Sequence, residues 1–301
     1  MWRLKVFIQF LLAHLPGGEK MNYLLQYMIG THSPGKKTKR VMEMIKKIQL
    51  INQHTPIEGK IIVEIGTGWN AIGAVLFYLM GARTCYTYDH VPHARFKLIR
   101  QLVGAIENRL VEIQSIVSIP APVLQERLSK LKTAASLQEL FSRANIMYFA
   151  PGDASKTGLP DKSVDVVFSY AVLEHVPEEV IHALTLESKR ILKEEGIAYH
   201  LIGLHDHYVK FSNKISKVNF LKYPEKWWAF WVKNKISYHN RLREKQFIDI
   251  FKSHGGKIKS TRNETEASDI EILKGMKIDK QFAGMTYEEL AVYRTEIILS
   301  F

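Results

Sequence analysis

The sequence has almost no cysteine. One cysteine, Cys85, among 301 residues excludes an intramolecular disulfide framework and any zinc site built from a cysteine cluster. A reducing compartment, the cytoplasm, is therefore expected. Internal repeats and low-complexity segments are also lacking, whereas hydrophobic residues make up 46% of the chain. That fraction is enough to bury a sizeable core and excludes global disorder.

Long hydrophobic runs are lacking as well. The apolar segment 6–15 near the N-terminus is too short to span a bilayer. Basic residues precede it, as they do in a secretory signal, but Gln9 and His14 interrupt it and no small-residue cleavage site follows. A cleaved signal is therefore not expected.

Two interpretations of this N-terminal segment remain. The favoured one is an amphipathic helix that packs on the rest of the protein. The alternative is peripheral membrane contact through residues 1–18, with Trp2, Arg3 and Lys5 near the lipid interface.

Acidic residues are fewer than basic ones, 30 against 42, which gives a formal net charge of +12. A basic surface favours anionic partners, among them phosphates, nucleic acid, acidic glycans and membrane faces.

Short β-branched segments alternate with helical periodicity after residue 55. The predicted strands are 60–65, 84–88, 145–149, 164–169, 196–202, 257–261 and 294–299. The alternation predicts an α/β fold, a doubly wound, mainly parallel seven-stranded sheet with helices on both faces.

The domain organisation follows from the same pattern. Residues 1–55 form an N-terminal helical extension, broken by a basic segment at 31–40, and residues 56–301 form the main domain. Two insertions interrupt this domain. One, at about 111–144, is mostly helical, and the other, at about 205–240, is aromatic and basic.

A glycine turn follows the first predicted strand. Gly66 and Gly68 allow a tight turn and close approach of a ligand to the backbone. Asp89 ends the second strand about twenty residues later, where a carboxylate can accept the hydroxyls of a ribose. The wider pattern, Gly66 and Gly68 with Ala71, also fits a dinucleotide-binding fingerprint, so the turn alone leaves the ligand open.

Three further features distinguish the alternatives. Glu64 lies two residues before the first glycine, where dinucleotide enzymes usually have an apolar residue. Gly152-Asp153-Ala154 follows the third strand, and residues 165–176 read DVVFSYAVLEHV. Together these features resemble class I methyltransferases that depend on S-adenosylmethionine (SAM), in the branch that methylates small molecules. The resemblance covers roughly residues 58–203.

The resemblance implies a role for each matching residue. The methionine end of SAM is lined by Glu64, Gly66, Thr67 and Gly68, the ribose is held by Asp89, and the adenine lies near His90, Asp153 and Ala154; Ser169 and Tyr170 border the sulfonium. The third glycine of the usual turn is replaced by Asn70, which is expected to cap the following helix.

The resemblance also implies the reaction, which is direct displacement of the methyl group and needs no metal. Oxygen is the expected acceptor atom, and such an acceptor needs a base. His205 and His207 follow the fifth strand and share one face if that segment is extended, and His175 is the third candidate. The alternatives are a solvated loop for His205 and His207, or a metal pair whose further ligands are not evident.

The 205–240 insertion interleaves lysines with aromatics such as Trp227, Trp228 and Trp231. It either covers an anionic or lipid-linked small-molecule acceptor or forms a helical subdomain with an aromatic core. Two other functions remain open, an RNA methyltransferase that uses this segment and a SAM-binding protein without catalysis.

Overall fold

The computed structural model describes residues 2–18, 20–22, 25, 34–212 and 215–301. The strands are β1 (Ile61–Ile65), β2 (Thr84–Tyr88), β3 (Ile146–Phe149), β4 (Val164–Tyr170), β5 (Leu192–Gly203), β6 (Lys257–Glu264) and β7 (Arg294–Ser300). They form one seven-stranded sheet in the order β3-β2-β1-β4-β5-β7-β6. The α/β fold with a seven-stranded sheet, predicted from sequence, is confirmed.

The described α-helices lie between and before these strands. They are α1 (Trp2–His14), α2 (Pro34–His54), α3 (Ile72–Leu79), α4 (Phe96–Glu107), α5 (Leu110–Gln114), α6 (Ala121–Lys132), α7 (Leu137–Arg143), α8 (Glu178–Ile191), α9 (Glu225–Trp231), α10 (Glu244–Ser253), α11 (Ala267–Gly275) and α12 (Tyr287–Ala291). Short 3-10 turns occur at Leu173–His175, His207–Phe211, Asn219–Lys222 and Lys280–Phe282.

The chain divides into two compact units. The larger unit comprises residues 31–170, 183–199 and 299–301, and the smaller unit comprises residues 1–30, 171–182 and 200–298.

Parallel pairing organises the strands of the larger unit. β1 pairs with β2 and with β4, and β2 pairs with β3, all in the parallel sense. Every residue of α3 is buried, and Phe77 on this helix packs edge-on against Phe168 of β4 at a centroid distance of 5.0 Å. The runs of β-branched residues are continuous rather than alternating because this part of the sheet is covered on both faces.

Two local expectations were wrong. The basic segment expected to break the N-terminal helices belongs to α2 from Pro34 onward, because proline suits the first turn of a helix; residues 31–33 lie outside the described part. Asn70 does not cap α3. The helix begins one residue later, after Ala71, which has φ 46° and makes no side-chain capping bond.

The smaller unit has its own hydrophobic core. α1 contributes Trp2 and Val6, the 205–240 insertion contributes Phe220 and Trp228, and residues from α11 to α12 complete it. The indole of Trp2 lies 5.9 Å from the ring of Tyr208, centroid to centroid. α1 therefore packs on the insertion, and the insertion has an aromatic core.

A buried arginine ties the end of β5 to α12. Arg243 donates to the carbonyl of Leu204 at 2.6 Å, to that of Leu290 at 2.9 Å, and to that of Val292. Burial lowers the pKa of its guanidinium to about 9. The three carbonyls are buried away from water, and the guanidinium of Arg243 donates hydrogen bonds to them in place of water.

We expect Arg243→Met to lower the free energy of unfolding by about 3 kcal/mol, because it leaves buried carbonyls without donors. Urea denaturation followed by circular dichroism measures this loss. Arg262→Met, at an exposed position of β6, is the control and should leave the midpoint unchanged. An unchanged midpoint for Arg243→Met would show that these hydrogen bonds add no net stability.

Candidate active site

The glycine turn leaves β1 at its carboxyl end. Gly66 and Gly68 both have left-handed backbones, with φ of 84° and 63°. Apart from Gly68 and its two chain neighbours, no atom of the described residues lies within 4 Å of where a Cβ on Gly68 would stand. The amides of Gly66 and Thr67 donate to the carbonyl of Tyr88 at the end of β2, at 2.8 and 3.3 Å. The turn is therefore fixed to the neighbouring strand while the space above Gly68 stays open.

Asp89 closes the same turn from β2. Its Oδ2 accepts the amide of Gly68 at 3.0 Å, and its Oδ1 lies 3.4 Å from Nδ1 of both His90 and His93. Burial alone would raise the pKa of Asp89, but the hydrogen bonds from the two histidines and from Gly68 hold it well below its usual range. Asp89 is therefore a carboxylate at any physiological pH.

Glu64 lies beneath the turn rather than in open space. It is 3% exposed, its Oε2 accepts from the hydroxyl of Thr87 at 2.7 Å, and Thr87 in turn lies 2.7 Å from the hydroxyl of Thr67. Burial raises the pKa of Glu64 to about 8. The side chain is therefore protonated at neutral pH and supports the turn through the two threonines.

The third and fourth strands bring the remaining cofactor candidates to the same edge. In the strand register Ile65 aligns with Tyr88 and with Ser169, and Tyr88 aligns with Phe149. The residues that follow these positions leave the sheet side by side, because parallel strands share one carboxyl edge.

Individual candidates at this edge differ in exposure. Asp153 is exposed, and its Oδ1 accepts from both the amide and the hydroxyl of Ser155, at 2.8 and 2.6 Å; Ala154 beside it is half-buried. Ser169 is fully buried and Tyr170 half-buried. His90 is largely exposed at 81%.

The three catalytic candidates lie together in the smaller unit. The ring of His207 lies 4.9 Å from the ring of His175, stacked on it, and 4.9 Å from that of His205, edge to face. His207 opens a 3-10 turn that Asp206 caps by accepting the amide of Tyr208 at 2.8 Å. The segment is therefore turned rather than extended, and His205 and His207 meet by that turn. Asp206 is 1% exposed, so this is not a solvated loop.

Burial controls the protonation of these imidazoles. It lowers the pKa of His205 to about 4 and that of His207 well below its ordinary value. Both rings are therefore neutral at physiological pH and keep a free lone pair. They are also weak bases, because an efficient general base has a pKa near the working pH.

Sequence reasoning missed two members of this cluster. His239 lies 4.5 Å from His207 between ring centroids, and the carboxylate of Glu174 lies beside His175 and His207. Asn240 brings them together because its side-chain amide donates to the carbonyls of Leu173 and Val176. The structure therefore places two further potential ligands beside the histidine pair, which the sequence did not make evident. The signal in the sequence is the Glu174-His175 pair, which lies shortly before a helix.

The insertion also shapes a cleft away from this cluster. A cleft of about 320 Å³ is lined by Arg3, Val6, Phe7, Tyr223, Trp227 and Trp231. α1 and the insertion thus share an aromatic groove, whereas Trp228 and Phe220 are taken up by the core.

A family model of known proteins matches part of the chain. Residues 125–200 match the family model described as a methyltransferase domain. This segment is therefore similar to a methyltransferase domain, in agreement with the SAM-dependent methyltransferase that the sequence predicts. The match spans β3, β4 and most of β5; the glycine turn and Asp89 lie upstream of it. No curated protein matches the chain at a significant level.

Solved structures resemble the chain only distantly. The PH0226 protein from Pyrococcus horikoshii OT3 is 12% identical, with 87% of this chain and 90% of that one covered and a TM-score of 0.48. A geranyl diphosphate methyltransferase in complex with SAM is 9% identical over 87% and 84%, with a TM-score of 0.46. Magnesium protoporphyrin IX methyltransferase from Synechocystis PCC 6803 is 12% identical over 87% and 81%, with a TM-score of 0.42. Likeness of this degree identifies no substrate.

The raised pKa of Glu64 predicts a pH-dependent contribution to stability. Below its ordinary pKa of 4.5 the carboxyl is protonated in both states and its contribution is fully present. As the pH rises from about 4.5 to about 8 the contribution is lost, because the unfolded chain ionises freely and the folded chain does not. We expect Glu64→Gln to remove this dependence, so that its Tm rises relative to wild type across this window.

Melting curves from pH 5 to pH 8.5 measure the difference. Glu194→Gln, at an exposed position of β5, is the control and should track wild type throughout. A constant difference between Glu64→Gln and wild type would mean that Glu64 is ionised in the folded protein.

Proposed function

We propose that the chain transfers the methyl group of SAM to an oxygen of a small-molecule acceptor, in the reducing cytoplasm. The observation that carries the proposal is the open turn at Gly68 with the ionised carboxylate of Asp89 beside it. An ionised carboxylate at the end of the second strand is suited to accept the two hydroxyls of a ribose.

The cofactor is proposed to lie across the carboxyl edge of β3, β2, β1 and β4. The backbone of Gly66, Thr67 and Gly68 would line its methionine end, with Glu64 acting from beneath through Thr87. Its adenosine half would be held by Asp89, His90, Asp153 and Ala154, and its sulfonium would be bordered by Ser169 and Tyr170.

The protein itself forms no covalent bond during methyl transfer, because the methyl group passes directly from SAM to the acceptor. The acceptor oxygen supplies the electron pair for the new carbon–oxygen bond, and the carbon–sulfur bond breaks as the sulfur becomes a neutral thioether. The protein must align the three atoms and remove the acceptor proton. We propose that His175, His205 and His207 bind the acceptor oxygen or take up this proton.

Cysteine nucleophiles, which cytosine-carbon methylation requires, are not supported. Cys85 is the one cysteine of the sequence; it is 1% exposed inside β2, and burial raises the pKa of its thiol well above the ordinary value. A buried, protonated thiol is inert.

RNA methylation is the second candidate function. The aromatic side chains of the insertion support it less than the sequence suggested. Bases stack on exposed aromatic rings, whereas Phe220 and Trp228 of the insertion are at most 1% exposed. The net charge of +12 is what still favours it. RNA binding would show a steep dependence on salt concentration. No observation favours a non-catalytic role.

A lipid-linked acceptor is favoured by the outer face of α1. Trp2 and Val6 pack inward, yet the opposite face exposes Leu4 at 62%, Ile8 at 38% and Leu11 at 44%, and Leu15 just after the helix is 52% exposed. The inner face of this helix packs on the core of the smaller unit. An apolar outer face then indicates that a second apolar surface contacts the helix. Since the chain is basic, we propose that this face touches an anionic membrane surface. Within the described residues no helix is long and apolar enough to cross a bilayer.

The cofactor proposal predicts that Asp89→Ala weakens binding of SAM and S-adenosylhomocysteine by about 10- to 100-fold, because charge-assisted hydrogen bonds to the ribose are lost. Isothermal titration calorimetry measures this. Asp249→Ala, at an exposed position of α10, is the control.

Two results would contradict the cofactor proposal. Unchanged affinity in a folded Asp89→Ala protein would remove Asp89 from the site. Binding of NAD by the wild type in place of SAM would favour the dinucleotide interpretation.

The membrane proposal predicts that the wild type sediments with phosphatidylglycerol vesicles and that Leu11→Ser reduces the bound fraction several-fold, because an exposed apolar side chain no longer enters the lipid. Leu186→Ser, at a 51% exposed leucine of α8, is the matched control. Equal sedimentation of the two variants, or no sedimentation of the wild type, would overturn the proposal.

A further inference from the structure

One carboxylate oxygen in the smaller unit is buried without a hydrogen-bond partner. Glu174 is 2% exposed; its Oε1 accepts the amide of Gly203 at 3.2 Å, whereas its Oε2 has no partner among the described residues. A buried carboxyl group without a partner for one oxygen either takes up a proton or pairs with a cation or a metal ion.

Two imidazoles lie close to this carboxylate. Glu174, His175 and His207 each offer one ligand atom, and the three atoms lie within 4.8 Å of one another. His205 and His239 border the group through their contacts with the ring of His207. Neither ring nitrogen of His239, itself 3% exposed, has a hydrogen-bond partner of good geometry in the described part of the chain.

The orientation of His175 fits metal ligation. Its Nδ1 lies 2.8 Å from the carbonyl of Tyr238. When that nitrogen donates to a carbonyl, the ring is fixed and Nε2 presents its lone pair, which is the usual arrangement of a ligating histidine. His175 is also exposed, so an ion has a path into the site.

The surrounding backbone holds the carboxylate in place. A Cβ added to Gly203 would lie 2.7 Å from Oε1 of Glu174, so only glycine allows the carboxylate this close to β5. The amide of Asn240 donates to the carbonyl of Glu174 at 3.0 Å. The turn that carries Glu174 and His175 is therefore anchored to two separate segments, as a preorganised ligand set requires.

We propose that Glu174, His175 and His207 bind one divalent first-row transition-metal ion of the Zn²⁺ type. Two imidazoles and one carboxylate suit such an ion better than Mg²⁺ or Ca²⁺, which prefer oxygen ligands. At bond lengths of about 2.0–2.2 Å the side chains must draw together from their present separation. Three protein ligands leave coordination positions open, as in catalytic zinc sites. A role of the ion in activating an acceptor oxygen rests on the proposed function, but its binding does not.

The test uses the full-length, untagged protein, stripped with chelator and titrated with Co²⁺ and Zn²⁺. We expect one equivalent to bind, with visible d–d absorption bands for Co²⁺ and a rise in Tm because the ion binds the folded state. His207→Ala and Glu174→Gln should each weaken binding by more than about 100-fold, since they remove a direct ligand rather than an outer partner.

His254→Ala is the matched control. It removes an imidazole from the other histidine pair of the smaller unit, in which His182 Nδ1 lies 2.8 Å from His254 Nε2, and it should leave binding unchanged. Glu174→Gln keeps the shape and the hydrogen bond to Gly203, so it remains informative if His207→Ala fails to fold.

Three outcomes would overturn the proposal. They are no stoichiometric binding by the wild type, binding retained in both ligand variants, and equal loss of binding in His254→Ala. SAM binding is measured on the same metal-free protein. A protein that binds Co²⁺ but not SAM would overturn the proposed function and leave the metal site standing, and the reverse result would do the opposite.

Discussion

The hydrogen bond from the Gly68 amide to the Asp89 carboxylate connects the two features on which the proposed cofactor site depends. The left-handed turn at Gly66 and Gly68 directs its amides away from β1. The amide of Gly66 donates to the carbonyl of Tyr88 at the end of β2, and the amide of Gly68 donates to the side chain of Asp89. Because β1 and β2 are parallel neighbours, the turn and the carboxylate are held at one edge, and the space above Gly68 stays open. A site of this kind needs few side chains, since the backbone itself forms its floor.

The protein meets the cost of buried charge in three different ways. Glu64 takes up a proton, and its Oε2 accepts a hydrogen bond from the hydroxyl of Thr87. Arg243 keeps its charge and spreads it over carbonyls. Burial raises the pKa of Glu174 as well, but one of its oxygens has no hydrogen-bond partner among the described residues, and two imidazoles lie close to it. Protein groups satisfy the first two side chains, so neither needs a ligand. The third side chain has an oxygen that the proposed metal ion would bind.

The N-terminal helix is apolar on two faces, and the smaller unit satisfies only one of them. Trp2 and Val6 join the aromatic core formed by the insertion, whereas Trp227 and Trp231 line the cleft that the insertion shares with this helix. Leu4 and Leu11 on the far side remain exposed. The same segment that completes the fold therefore presents an unsatisfied surface, which is why membrane contact is the proposal for it.

The sequence by itself determined the strands, the order of strand and helix, and the glycine turn with Asp89. These features are local, because a buried parallel strand shows as a short β-branched run and its following turn shows as glycine. It placed the start of α3 one residue too early at Asn70 and missed the helix at 34–40, because a capping residue and a proline each fit more than one position. Only the tertiary structure decided the cluster of Glu174, His175, His207 and His239. Those residues come from three distant segments, and they meet because Asn240 and the Gly203 backbone hold the turn after β4 against the other two.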